Sequence, residues 1–192
     1  MPEQSPLHSA RRDLERLRRS VESMQTAPSL ELYEDAWLIF LDAAYRIPNR
    51  IQNAGEKTLD APERNRFDPW FGMVKAQRKS DPFLLYAFQA RGAEAHSIQF
   101  ATERQPGTLT FRPTGPIRVR FETNPDGSKK PVTSGPPLKY DFTPGKVIMK
   151  TVVNLGVEYE PPDHQPPHIH AEAALPVFEK WIEEAEAKFF PA

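Results

Sequence analysis

The distribution of proline divides this 192-residue chain into two parts that cannot share one kind of structure. Fourteen of the 21 prolines lie beyond residue 105. Because proline lacks a backbone N–H and disrupts helix interiors, this density disfavours long helices until the end of the chain. Hydrophobic residues also change from a helical period to alternation near Ser97. We therefore predict an α+β protein, with a helical bundle at residues 1–97 and an antiparallel β meander with a C-terminal helix at residues 98–192.

Four helices are predicted in the first part. The first covers residues 6–25, and the second follows a capping Ser29 and carries a long apolar stripe that indicates core packing. Pro48 is expected to kink this helix or to end its regular part. We predict a loop at residues 53–65. A third helix begins at Asp68-Pro69 and a fourth covers residues 82–97, so mostly short connections favour an antiparallel four-helix bundle.

The second part alternates short strands with turn residues. We predict a mobile loop at residues 128–137, and one buried face that carries Ile117, Val119 and Phe121. An amphipathic helix at residues 171–190 must cover the sheet, the bundle or the space between them. The predicted strands are Ile98–Thr102, Thr108–Arg112, Ile117–Glu122, Leu138–Phe142, Val147–Asn154 and Val157–Glu160.

The fourth predicted helix carries an arginine and a histidine at its end. Arg91 and His96 are five residues apart, which separates them by about 140° around a helix. Apolar residues fill the arc between them, namely Leu84, Leu85, Phe88 and Ala95, together with Gly92. Since Gly92 has no side chain, a partner helix or a ligand could approach closely there.

The Arg-x4-His spacing at the end of an apolar helix, late in a helical bundle, resembles the motif of the HEPN superfamily. That superfamily includes many metal-independent ribonucleases and some non-catalytic members. The sequence PWFGMVKAQRKSDPFLLYAFQARGAEAH is also similar to uncharacterised bacterial proteins with an HEPN-like helical half. The resemblance covers about residues 29–97. One position differs, because HEPN ribonucleases usually carry a polar residue, often Asn, where this chain has Gly92.

The resemblance implies an RNA-cleaving or RNA-binding protein, of a bacterial defence or toxin–antitoxin system, that works without a cofactor or metal. His96 would transfer a proton at a ribose 2′-hydroxyl, and Arg91 would bind the scissile phosphate. Lys75, Arg78 and Lys79 would hold further substrate phosphates. A homodimer through the Arg91/His96 helix is also implied, because two copies would bring both pairs to one cleft.

Alternatives to this assignment remain open at the level of the sequence. Arg91 could pair with Glu94 one turn on, and His96 could bond a carbonyl at the helix end. Arg78 and Lys79 could complement the negative end of their own helix. The apolar arc could be used inside the monomer. That arrangement would leave nothing to dimerise. Separately, the protein could be a non-catalytic interaction or dimerisation module, in which the same helices form a dimer or partner surface and the sheet supplies specificity.

A second group of polar residues lies at positions 163–170. His164, His168 and His170 resemble a metal site, but four prolines make the segment a stiff, extended linker. We therefore predict no tight metal there.

Charge and composition limit the remaining classes of function. The net charge of −1 provides no global attraction for nucleic acid, so RNA binding requires a local basic patch. The absence of cysteine excludes disulfides and cysteine nucleophiles. The N-terminus has charges and no apolar core of a signal peptide, and no apolar run is long enough to span a bilayer. We expect a soluble, cytoplasmic protein without a membrane partner.

Overall fold

The α+β class predicted from the sequence is confirmed by a computed structural model that describes residues 5–96, 101–113, 118–134 and 138–191. Its helices are α1 (His8–Thr26), α2 (Leu30–Thr58), α3 (Ala61–Ser80), α4 (Pro82–His96) and α5 (Pro167–Phe189). Its strands are β1 (Thr102–Gln105), β2 (Thr108–Pro113), β3 (Arg118–Thr123), β4 (Lys129–Ser134), β5 (Leu138–Thr143), β6 (Lys146–Met149), β7 (Val152–Asn154) and β8 (Val157–Tyr159). The predicted strand at Ile98 begins outside the described residues.

The connection between α2 and α3 differs from the predicted loop at residues 53–65. α2 continues past Pro48 to Thr58, and α3 starts at Ala61 rather than at Asp68-Pro69. Asp60 accepts the backbone N–H of Glu63, and the Glu63 side chain accepts the N–H of Asp60, which forms a capping box. This reciprocal cap satisfies two N–H groups at the helix start and therefore permits a very short connection.

The chain forms two compact units. The helical unit comprises residues 1–104 and 147–192, and the second unit comprises residues 105–146. α5 belongs to the helical unit, where it packs on α1, α2 and α3. The helical unit is therefore discontinuous in sequence. It does not end at residue 97, because α5 at the end of the chain packs on α1, α2 and α3.

A continuous apolar core holds the helical unit together. Trp37 and Phe40 stack at 5.4 Å between ring centroids, and the Phe83 ring of α4 lies against both. Burial of an aromatic side chain removes a large apolar surface from water, so these residues dominate the stability of the bundle. The aromatic stripe of α2 is therefore core, as predicted.

α4 is capped at its start and bonded in its second turn to the segments beside β1 and β6. Asp81 accepts the N–H of Leu84 at 2.9 Å. The hydroxyl of Tyr86 lies 2.9 Å from the carbonyl of Ala101 and 2.7 Å from that of Lys150. Burial raises the pKa of Tyr86, so the hydroxyl keeps its proton and remains a donor. These bonds tie α4 to the residues that flank β1 and β6.

The second unit contains two antiparallel strand pairs, together termed the ribbon, and not the predicted meander. β2 pairs with β5 and β3 with β4, both antiparallel, in a nested order. β4 occupies most of the predicted mobile loop, of which residues 135–137 lie outside the described part. Pro131 is tolerated because a two-stranded ribbon has free outer edges. The turn at its tip is closed by the N–H of Gly127, which donates to Asn124.

The ribbon residues whose exposure the structure describes do not form the buried face that the alternation predicts. Val119 is 56% exposed and Phe121 is 65% exposed, while Ile117 lies outside the described residues. A two-stranded ribbon has no second layer of its own to cover an apolar face.

Within the described residues, no helix has the length and apolar character needed to cross a membrane.

Candidate functional site

α3 and α4 meet beside a surface groove that contains all four of the described cationic side chains predicted to bind substrate. The groove has a volume of about 710 Å³. Lys75, Arg78 and Lys79 come from the last two turns of α3, and Arg91 comes from α4. The complete described lining is Tyr45, Asn49, Gln52, Lys75, Arg78, Lys79, Leu85, Phe88, Gln89, Arg91, Gly92, Asn154, Leu155 and Tyr159.

The charges of this lining are all of one sign. Among the lining residues that the structure describes there are four cations and no Asp or Glu. Amide and aromatic side chains fill the space between the cations. A groove that concentrates positive charge on a partly apolar wall attracts anions even when the whole protein is nearly neutral.

Arg91 is held in place by α2. Its guanidinium lies over the ring of Tyr45, 4.5 Å from the centroid, and 3.7 Å from Oδ1 of Asp42. The predicted alternative of an Arg91–Glu94 pair is not what the structure has, since Glu94 accepts the N–H of Ala101 at 2.6 Å. About a third of the Arg91 side chain is exposed. Arg91 is therefore oriented by an aromatic ring and remains accessible from the groove.

The α3 cations are also arranged on aromatic rings. The Arg78 guanidinium lies 4.6 Å from the centroid of Phe88, and the Lys75 ammonium lies 4.8 Å from that of Phe71. Burial lowers the pKa of Arg78. In the described part of the chain, no carboxylate pairs with Lys75, Arg78 or Lys79. An anionic ligand would supply that missing compensation.

His96 is the last residue of α4, but its side chain lies outside the described part of the structure. Of the Arg91/His96 pair, Arg91 lines the groove.

Gly92 makes room for a side chain of the same chain. A Cβ atom at Gly92 would lie 2.5 Å from Nδ2 of Asn154 on β7. That Asn154 amide donates to Oε1 of Gln89 at 2.7 Å, and its own Oδ1 is buried without a described partner. The close approach expected at Gly92 is therefore the packing of the β7–β8 hairpin onto α4.

Several lining residues were not predicted from the sequence. Tyr45 lies on α2, and Asn154, Leu155 and Tyr159 lie in the β7–β8 hairpin. Their only local signal is the turn sequence Asn154–Leu155–Gly156, which predicts a hairpin but not its position against α4.

The histidine segment is built differently from the groove. His168 and His170 belong to the first turn of α5, which starts four residues earlier than predicted, so they are not in an extended linker. The Tyr33 hydroxyl lies 2.9 Å from Nδ1 of His168 and accepts the His168 N–H at 3.0 Å. Since α5 has no other side-chain cap, Tyr33 takes over that role.

The other histidines of the segment lie next to a carboxylate. Nε2 of His170 is 2.8 Å from Oδ1 of Asp163, and the His170 ring stacks on Phe83. Nearby His170 and the N–H of Gln165 lower the pKa of Asp163. Among the described residues, no group of three His, Cys, Asp or Glu side chains is arranged to hold a metal. His168 and His170 thus have structural partners.

Comparison of the chain with protein-family models, curated proteins and solved structures finds no match. What the groove can do is therefore inferred from its own chemistry. It can hold a ligand that combines negative charge with flat, partly apolar surface.

Proposed function

We propose that the protein binds single-stranded RNA in the groove between α3, α4 and the β7–β8 hairpin. The observation that carries this proposal is the one-signed lining, with four cations and no carboxylate among the described residues. Phosphates would compensate the Lys75, Arg78, Lys79 and Arg91 charges, and aromatic and amide groups would contact sugars and bases. A cytoplasmic location, where RNA is abundant, belongs to the same proposal.

The chemistry proposed for this groove is metal-independent RNA cleavage of the HEPN type. Arg91 would bind the scissile phosphate and stabilise the charge that develops in the transition state. His96 would assist proton transfer at the attacking 2′-hydroxyl. The product would carry a 2′,3′-cyclic phosphate. Support for this step comes from the Arg-x4-His spacing and from the accessible, ring-supported Arg91.

Binding and cleavage are separable by experiment. We expect fluorescein-labelled single-stranded RNA to bind with an affinity that falls steeply with salt, and to be cut in excess EDTA. Arg91→Ala should reduce both binding and cleavage, whereas His96→Ala should abolish cleavage and leave binding within about twofold. Cleavage that survives both substitutions would remove these residues from the mechanism. If the wild-type protein does not bind single-stranded RNA, the groove is not an RNA-binding site.

Of the properties that the HEPN resemblance implies, a homodimer through α4 has the least support from the contacts within the monomer. Leu84 and Phe88 are buried inside the monomer, and Asn154 occupies the space over Gly92. These contacts favour the alternative in which the apolar arc is used within the chain. Light scattering at tens of micromolar tests this point, and a dimer that is split by the exposed substitution Arg91→Glu would restore the composite cleft.

A non-catalytic interaction module is a second candidate, and the ribbon favours it. Leu109 and Tyr140 on β2 and β5 are 49% and 69% exposed, in addition to Val119 and Phe121. Exposed apolar side chains on this scale are typical of surfaces that bind a partner. A protein that neither binds nor cuts RNA, and whose self-association or partner binding is lost in Phe121→Ser, would support the module instead.

A further inference from the structure

The tip of the β7–β8 hairpin combines an unfavourable backbone conformation with an unusual residue. Asn154 pairs with Val157, which leaves a two-residue turn of Leu155 and Gly156. Both turn residues have positive φ, 50° and 80° respectively. Such turns favour Asn, Asp or Gly at the first position, because a larger side chain strains the left-handed conformation. Among the described residues other than glycine, Leu155 alone has positive φ.

The side chain of Leu155 gains little from the rest of the protein. It is 89% exposed, the largest exposed fraction among the large hydrophobic residues that the structure describes. An exposed leucine gains almost no burial free energy that would offset the strain of its left-handed backbone conformation. Strained residues of this kind cluster at binding and active sites.

The position of Leu155 identifies that ligand site. Leu155 lines the groove at its hairpin wall, and Tyr159 of β8 and Arg91 of α4 line the same groove. The neighbouring Asn154 is bonded to Gln89 and packs over Gly92, so the hairpin tip is anchored directly on α4. The hairpin backbone that carries Leu155 is thus held at the groove before any ligand arrives, which reduces the ordering cost of binding.

We propose that Leu155 forms an apolar subsite for an unstacked RNA base at the mouth of the groove. This inference rests on the RNA-binding function proposed above. The groove cations would bind the phosphates of RNA, but they give no reason for an exposed leucine in the same groove. Arg91 already covers one face of the Tyr45 ring, so Leu155 offers the more accessible apolar surface. A base of single-stranded RNA is the apolar group that a phosphate-binding groove would present to it.

The test compares two probes in the full-length protein, a fluorescein-labelled single-stranded RNA and inorganic polyphosphate of similar charge. Leu155→Asn is the informative variant, because Asn tolerates positive φ and removes the apolar surface. We expect roughly tenfold weaker RNA binding, unchanged polyphosphate binding and a melting temperature about 3 °C higher. Val157→Thr is the control, since Val157 lies in the same hairpin, is 52% exposed and does not line the groove.

The outcomes separate the subsite from the groove. If wild type binds both probes and Leu155→Asn binds RNA as tightly as wild type, the subsite is wrong and the groove stands. If Leu155→Asn weakens both probes equally, Leu155 acts through the shape of the hairpin, and the subsite is again wrong. If wild type binds neither probe, the proposed function and the subsite fall together. If Leu155→Asn weakens RNA binding and leaves polyphosphate binding unchanged, both the subsite and the groove are supported.

Discussion

Two polar regions of the helical unit, the groove and the histidine segment, differ in how their charged and titratable groups are partnered. At the start of α5, His168 bonds Tyr33 and His170 bonds Asp163. In the groove, Arg78 and Lys75 lie on aromatic rings, and the described chain offers them no carboxylate. The comparison teaches that residue type alone does not separate a binding site from scaffold. The segment that resembles a metal site has internal partners, whereas Lys75, Arg78 and Lys79 have no carboxylate partner among the described residues.

The largest expected effect is loss of RNA binding when the groove loses its charge. Replacing Lys75, Arg78 and Lys79 together by Gln should weaken binding of single-stranded RNA by more than about tenfold, because each cation releases counterions from a phosphate. The slope of log affinity against log salt should fall by about 2. Fluorescence anisotropy at several salt concentrations measures both quantities.

The matched control removes the same charge elsewhere. Arg12, Lys57 and Lys180 are exposed and do not line the groove. Replacing these three by Gln should leave the affinity within about twofold. Equal losses in the two triple variants would mean that RNA responds to net charge and not to this groove.

The next effect concerns the wall of the groove at Gly92. Gly92→Ala should destabilise the protein by about 1–2 kcal/mol, because the new Cβ collides with the carboxamide of Asn154. In an Asn154→Ala background the same substitution should stabilise by up to about 1 kcal/mol, since alanine has the higher helix propensity. Denaturant unfolding measures both values. The same sign in both backgrounds would show that Asn154 is not what requires glycine here.

A comparable effect is expected at the histidine segment, but on stability alone. Tyr33→Phe removes the group that accepts the His168 N–H and bonds its ring, at a cost of about 1–2 kcal/mol. The melting temperature should fall by about 3–6 °C while RNA affinity stays unchanged. Tyr140→Phe deletes a hydroxyl from an exposed ribbon tyrosine and should change neither quantity. Weaker RNA binding in Tyr33→Phe would contradict a purely structural role of the histidine segment.

The smallest effect is a pH dependence of stability that the Tyr33–His168 pair confers. Burial lowers the pKa of His168, so the unfolded chain binds a proton more readily than the folded chain, and stability is lost as pH falls below the ordinary histidine range. Burial raises the pKa of Tyr33 to about 12, so its contribution is complete below the ordinary value of about 10 and is lost as pH rises through 12.

Comparison of wild type with Tyr33→Phe across pH isolates these contributions. We expect the alkaline loss to be absent from the variant and the acidic loss to be smaller. Urea unfolding at a series of pH values gives the free energies. If the curves of unfolding free energy against pH are parallel for the two proteins, the Tyr33–His168 pair does not cause the pH dependence.

The sequence predicts the helical parts of the fold and one wall of the groove. The long apolar period of α2 and the cap at Asp81 are local signals, and so is the basic end of α3. The capping box at Asp60 and Glu63 is also local and could have identified the start of α3. Pro62 instead favoured a loop, and Asp68-Pro69 favoured a later helix start, although Pro62 lies in the tolerant first turn of α3 and Pro69 lies inside the helix.

The other wall could not be predicted, because it depends on long-range contacts. Asn154 meets Gln89 across 65 positions of sequence, and nothing near either residue specifies that pairing. The nested ribbon was missed for a similar reason, since Pro131 weakens the local strand signal of β4. The roles of Arg91, His96 and the α3 cations remain predictions, now with a groove in which to test them.

The most direct test of the central claim is to find which residues touch bound RNA. Photo-crosslinking of single-stranded RNA to the full-length protein, followed by mass spectrometry, identifies the contact peptides. We predict crosslinks to Tyr45, Tyr159 and the residues around Leu155, and their loss in the triple variant of Lys75, Arg78 and Lys79. Crosslinks confined to the ribbon at residues 105–146, which carries seven Lys or Arg against three Asp or Glu, would contradict the claim.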